Sequence, residues 1–194
     1  EQTPENGFGA TPLTKYRRHV LMLHPHTVIV YDELEASEAV RWEWLLHSPT
    51  EFKIDAVKKT LSTDNKTKGW VAVTQLFGGH VFTLSQTDRF VVPPAITGAE
   101  YPNQWHLTAR VDGCSATRFL AIIQVGDEAV SIINRDGDTF NVGDWTIKAV
   151  LDASKAPELT VSHRTEQAVF SYGTDNPALN GNFYSRQYTG SSLL

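Results

Sequence analysis

The stretch KYRRHVLMLHPHTVIVYDELEASEAVRWEWLLHS, residues 15–48, decides the fold. Two apolar runs, Val20 to Leu23 and Val28 to Tyr31, flank His24-Pro25-His26. Proline lacks an N–H and fixes φ, so it belongs at a turn or a strand edge. A hairpin with its corner at Pro25 is the natural reading. Further on, Val40, Trp42, Trp44 and Leu46 alternate with Arg41 and Glu43. That period of two is the mark of a strand with one buried face.

His24, His26 and Asp32 have the residue types of a zinc site. Strand geometry argues against one here. At about 3.3 Å per residue, Asp32 would lie roughly 20 Å from His26 along an extended strand. The expectation is a polar turn and no metal.

The same periodicity continues outward. In DWTIKAVLD (144–152), Trp145, Ile147, Ala149 and Leu151 share one face. RFLAIIQV, AVSIIN, ELTVSHR and QAVFSY are short, rich in β-branched or aromatic residues, and bounded by turn residues. Gly78-Gly79, Asp112-Gly113, Gly126-Asp127 and Asp136-Gly137 sit between apolar runs and supply the positive φ that hairpin turns need. No long stretch shows a helical period with caps. The fold class expected is all-β, an antiparallel β-sandwich of a dozen or so strands, built as one sandwich or two stacked ones, with long ordered loops. TVIVY and LAIIQV are apolar on both faces, as central strands of packed sheets are.

The boundaries expected are an N-terminal segment 1–14, a sandwich domain 15–172 and a polar tail 173–194. Phe183, Tyr184 and Tyr188 could wrap that tail onto the domain. VVPPAITGAEYPNQ (91–104) reads as a long ordered loop. The chain opens on EQTPENGFG without an initiating Met, which suggests a piece of something longer.

The 194 residues carry a net charge of −5, which lacks the basic footprint of a nucleic-acid binder. No apolar run approaches a membrane span, and no signal-peptide pattern opens the chain. Cys114 is the single cysteine, so no intrachain disulfide forms, and it reads as an inert small residue. Asp136 with Asp138, and Asp127 with Glu128, lack EF-hand spacing and read as turn formers. Asn65-Lys66-Thr67 matches a glycosylation sequon, a pattern with a high false-positive rate.

The candidate binding residues lie in EYPNQWH (100–106), where a long loop enters a strand. Tyr101, Gln104, Trp105 and His106 combine rings that stack on sugars with amides that bond hydroxyls. The same residues serve to anchor a loop, and packing or an interdomain contact is the reading we favour. Arg17 is a further candidate, able to meet an anionic glycan from a strand end. Arg17 and Arg18 point to opposite faces; a solvated strand end is the reading we favour, with an ion pair from one of them to an acidic residue as the alternative. His19 alternates with Leu21 and Leu23 and reads as a buried or half-buried histidine bonded to a neighbouring carbonyl, with a histidine facing the interface to a missing domain as the alternative. Trp42, Trp44, Trp70 and Trp145 read as core.

The order within residues 15–48, an Arg-led apolar strand, a Pro turn, a strand ending Tyr-Asp and an aromatic strand ending LLHS, resembles the heparinase II/III-like polysaccharide lyases. YPNQWHLTARV and TRFLAIIQV are similar to the C-terminal β-sandwich region of that group. The resemblance covers most of residues 15–172. It implies a parent enzyme that cleaves acidic polysaccharide by β-elimination, in the periplasm or outside the cell. It implies that the catalytic groups come mainly from an α/α-toroid, plus a histidine of the first β-region strands. It also implies a structural zinc held by a His, an Asp and a further His. The toroid is missing here, and the family's His-x-His lies upstream of the strand that begins at Arg17. No catalytic or zinc residue of the family maps onto this chain, so neither a catalytic residue nor a cofactor is expected in it. The partners implied are the missing N-terminal toroid and, in one reading, acidic polysaccharide. A free-standing carbohydrate-binding module and a structural sandwich without an enzyme partner remain the alternatives.

Overall fold

The computed structural model describes residues 11–65, 70–89, 104–126, 131, 133–165, 169–173, 177–180 and 182–183. Every regular element among them is a strand, arranged in two antiparallel sheets. The chain divides into two compact units, residues 1–130 with 151–153, and residues 131–150 with 154–194.

The first unit holds β1 (Leu13–Leu23), β2 (Thr27–Ser48), β3 (Lys53–Asp55), β4 (Thr60–Asn65), β5 (Trp70–Gly78), β6 (Thr83–Thr87) and β7 (Trp105–Gly126). The sheet order is β1-β2-β7-β5-β4-β3, with β6 also on β7. The hairpin read from Pro25 is present: β1 and β2 pair from Leu23↔Thr27 outward, and residues 24–26 form the turn.

β2 and β7 are 22 residues each and pair along nearly their whole length. The register breaks between Glu35 and Val40, and again before Trp42. On its other side β7 pairs with β6 near its start and with β5 near its end. One core joins the two halves: Trp42, Trp44, Leu107, Ala109 and Val111 from one half pack with Leu61, Leu76, Phe119 and Ala121 from the other. The sheet therefore bends at the irregularity and its halves face each other, as the two layers of a sandwich do.

This corrects one sequence expectation. Asp112-Gly113 is not a hairpin turn. Gly113 takes φ 74 inside β7, opposite the break in β2, so its positive φ serves a bulge instead. Asp136-Gly137 does behave as read: Gly137, at φ 58, turns the chain between two strands.

The second unit is an antiparallel meander of β8 (Ile133–Asp136), β9 (Thr139–Val142), β10 (Trp145–Ala149), β11 (Leu159–His163), β12 (Val169–Tyr172), β13 (Ala178–Leu179) and β14 (Asn182–Phe183). Phe140, Ile147, Ala149 and Leu159 are fully buried. Ile147, Ala149 and Leu151 are buried members of the DWTIKAVLD alternation, with Thr146 and Lys148 exposed, while Val150 breaks the alternation by being buried as well. The last two strands fall within the segment read as a tail, while Tyr184 and Tyr188 lie outside the described residues.

Candidate functional site

Strand pairing places the candidate residues. Gln104 is exposed just before β7 begins. Trp105 is half-buried and packs against the core cluster. His106, the next residue, points to the other face, as the pleat requires. There it stacks on His47 of β2, its direct register partner, with ring centroids 4.5 Å apart and planes 27° apart. Thr87 of β6 lies opposite His106 on the other side. Tyr101 and most of the 91–104 loop lie outside the described residues. The structure therefore separates Trp105 from His106 and brings His106 to His47, a residue from another strand. Neighbouring strands are all that join them, so no local sequence signal could have found the pair.

Arg17 is exposed on β1, in register with Glu33, which in turn is opposite Arg118. That places it in the other half of the folded sheet from His106. Around it lies a network of charges at the β1–β2–β7 junction. Asp32 and Glu33 are each only 1% exposed. Arg18 holds Asp32 through two hydrogen bonds, Nε to Oδ1 at 2.6 Å and Nη2 to Oδ2 at 2.8 Å. Lys15 Nζ donates to Glu33 at 2.9 Å and to Glu35 at 3.1 Å. Arg118 is buried and donates to the Asp152 carbonyl at 2.8 Å.

These contacts set the protonation behaviour. The bond to Asp32 raises the Arg18 pKa, and the bond to Glu33 raises that of Lys15. Burial lowers the pKa of His19, whose ring lies 6.2 Å from that of Tyr31. Burial also raises the Cys114 thiol. On the exposed face, the Arg110 guanidinium holds the Asp112 carboxyl below its ordinary range.

His24 and His26 are both exposed on the turn. Asp32 faces Arg18 in the hairpin register, well away from that turn. Among the described residues no group of three or more His, Cys, Asp or Glu side chains is placed to hold a metal ion. Nor is any helix among them long and apolar enough to cross a membrane.

One surface stands out for its apolar content. Along one face of β1, an edge strand of its sheet, Tyr16, Val20 and Met22 are 56%, 63% and 74% exposed. Arg18 sits among them, with its guanidinium 5.7 Å from the Tyr16 ring centre.

No protein-family model matches the chain, and no curated protein does. Solved structures do. A heparinase III with methylated lysines aligns at TM-score 0.53 and 14% identity, over 84% of this chain and 24% of that one. A second heparinase III structure aligns at TM-score 0.51 and 14% identity, over 81% of this chain and 23% of that one. The likeness establishes a shared β-sandwich fold. This chain spans about a quarter of the length of the proteins it matches.

Proposed function

We propose that this chain is the non-catalytic C-terminal β-sandwich region of a polysaccharide lyase that degrades acidic polysaccharide by β-elimination, in the periplasm or outside the cell. The fold match carries the reading: most of this chain aligns with about a quarter of a heparinase III. The exposed ridge of Tyr16, Val20 and Met22 supports it. Apolar surface gathered on one face is what an absent neighbouring domain would cover. That neighbour is the upstream α/α-toroid.

Elimination needs a base at the proton α to the uronate carboxylate and an acid at the leaving oxygen. It also needs polar groups that stabilise charge developing on the carboxylate. This reading assigns those groups to the toroid and to the residues leading into the β region. The chain described here supports that domain and shapes one wall of its cleft. Any zinc of the parent enzyme would sit upstream as well.

Lyase assays on the chain alone test the reading. With heparin, heparan sulfate or alginate, no growth of unsaturated-uronate absorbance is expected. The product that carries this region together with a toroid should give it. Robust elimination by the chain alone overturns the assignment. A free-standing carbohydrate-binding module is the rival, and a glycan array separates the two. A module is retained by a sugar and loses retention with Trp105→Ala. A supporting region is not retained, and Trp105→Ala costs it stability only, because Trp105 packs on the core.

A further inference from the structure

We propose that His47 and His106 form a two-histidine chelate for a late first-row divalent metal ion, Zn²⁺, Ni²⁺ or Cu²⁺. The two residues are register partners on β2 and β7, and their rings lie 4.5 Å apart at 27°. Imidazole nitrogen is a preferred ligand of these ions. At a metal–nitrogen distance of about 2.0–2.1 Å, two nitrogens bound at a tetrahedral angle are about 3.4 Å apart. The rings are stacked, so binding requires them to turn about their side-chain bonds until one nitrogen of each faces the same ion.

The backbone beneath the pair is already fixed. β7 is paired on both sides at this point, with His47 on one flank and Thr87 on the other. A site built on paired strands loses little conformational freedom when it binds. Its outward-facing neighbours in the next row are Leu45, Thr108 and Ser85, none of them charged. His47 is exposed, so an ion reaches the pair from solvent and water fills the remaining coordination positions. The site supplies two protein ligands, consistent with no larger ligand group among the described residues.

Calorimetric titration of the whole chain with Ni²⁺, Zn²⁺ and Cu²⁺ salts tests this. The expected affinity order has Cu²⁺ tightest, following the general trend for nitrogen sites. Chelation makes the second bond intramolecular, so His47→Ala and His106→Ala should each weaken binding on the order of a hundredfold. The double variant, with neither ligand left, should lose the site altogether and bind no tighter than either single one. His24→Ala combined with His26→Ala, which removes the turn histidines, should leave the strong site intact. Circular dichroism and melting of each variant establish that it is folded. Should His106→Ala unfold the chain, the exposed His47→Ala carries the test. Three outcomes overturn the proposal: no binding by the unsubstituted chain, unchanged binding in the folded His47→Ala variant, or loss of binding with the His24 and His26 substitutions.

Discussion

The Arg18–Asp32 pair is the place where a single change should do most damage per atom removed. Asp32 is 1% exposed, and Arg18 meets it with both forks of the guanidinium. Charges about 4 Å apart interact by about 4 kcal/mol at an effective dielectric near 20. Removing one partner of a fully buried pair costs about 3–5 kcal/mol, because the other charge is left stranded. The Arg18 side chain is 41% exposed, so water already screens part of the attraction. We therefore expect Arg18→Met to lower stability by about 2–3 kcal/mol, below the fully buried range.

The asymmetry of that cost supplies the refutation. Replacing both partners, Arg18→Met with Asp32→Val, removes the stranded carboxylate as well as its partner. That double variant should lie within about 1 kcal/mol of the parent, since apolar replacement of a buried pair is often neutral. The cycle then yields a coupling of about 2 kcal/mol or more between residues directly opposed across two strands. Urea unfolding followed by tryptophan fluorescence reads it, with Trp42 and Trp44 buried in the same unit as reporters. If the single effects add to the double within about 0.5 kcal/mol, the pair is not coupled and the reasoning fails.

Other outcomes follow from single contacts. Burial lowers the His19 pKa, so on acidification the unfolded chain takes up that proton first. The His19 contribution to stability is then complete above about pH 6.5 and is lost as pH falls from there toward the folded value. His19→Gln should flatten that part of the stability–pH curve, and an unchanged acid limb would contradict the assignment. At Gly79, a Cβ would collide with the Leu151 carbonyl oxygen. Gly79→Ala must therefore push backbone aside, at about 1–3 kcal/mol read from the urea midpoint, and a neutral result would place that carbonyl elsewhere. Burial raises the Cys114 thiol. Iodoacetamide at neutral pH should label it more slowly in the folded chain than in urea, and equal rates would show an open thiolate.

Much of the fold could be read from local pattern because burial on one face writes a period of two into the sequence. Trp42 and Trp44 are buried and Arg41 and Glu43 exposed, as the alternation requires. Pro25 marked the hairpin because its missing N–H excludes it from a ladder. The length of β2 and β7 was not legible. Each runs on through a register break, and a glycine with positive φ looks the same in sequence whether it closes a hairpin or sits in a bulge. Which charges meet was legible only in part. The opposite faces of the two arginines allow an ion pair to one of them without requiring it, and a solvated strand end is the reading favoured in sequence, yet Arg18 holds the buried Asp32. That Asp32 would be the partner of Arg18 depended on the register counted back from the turn.

The same limit explains the candidate site. Residues adjacent in sequence, such as Trp105 and His106, look like one constellation because they are read together. In a strand, adjacency guarantees the reverse: one ring goes to the core and the next to the surface. A surface on this sheet is assembled from every second residue of each strand and from partners across it. His106 therefore belongs with His47 and Thr87, and Trp105 with Leu107 and the core. A glycan or metal contact on this half of the sheet must be argued from that outward row. Substitution of Trp105 then reports on stability, while substitution of His47, exposed and distant in sequence, reports on binding.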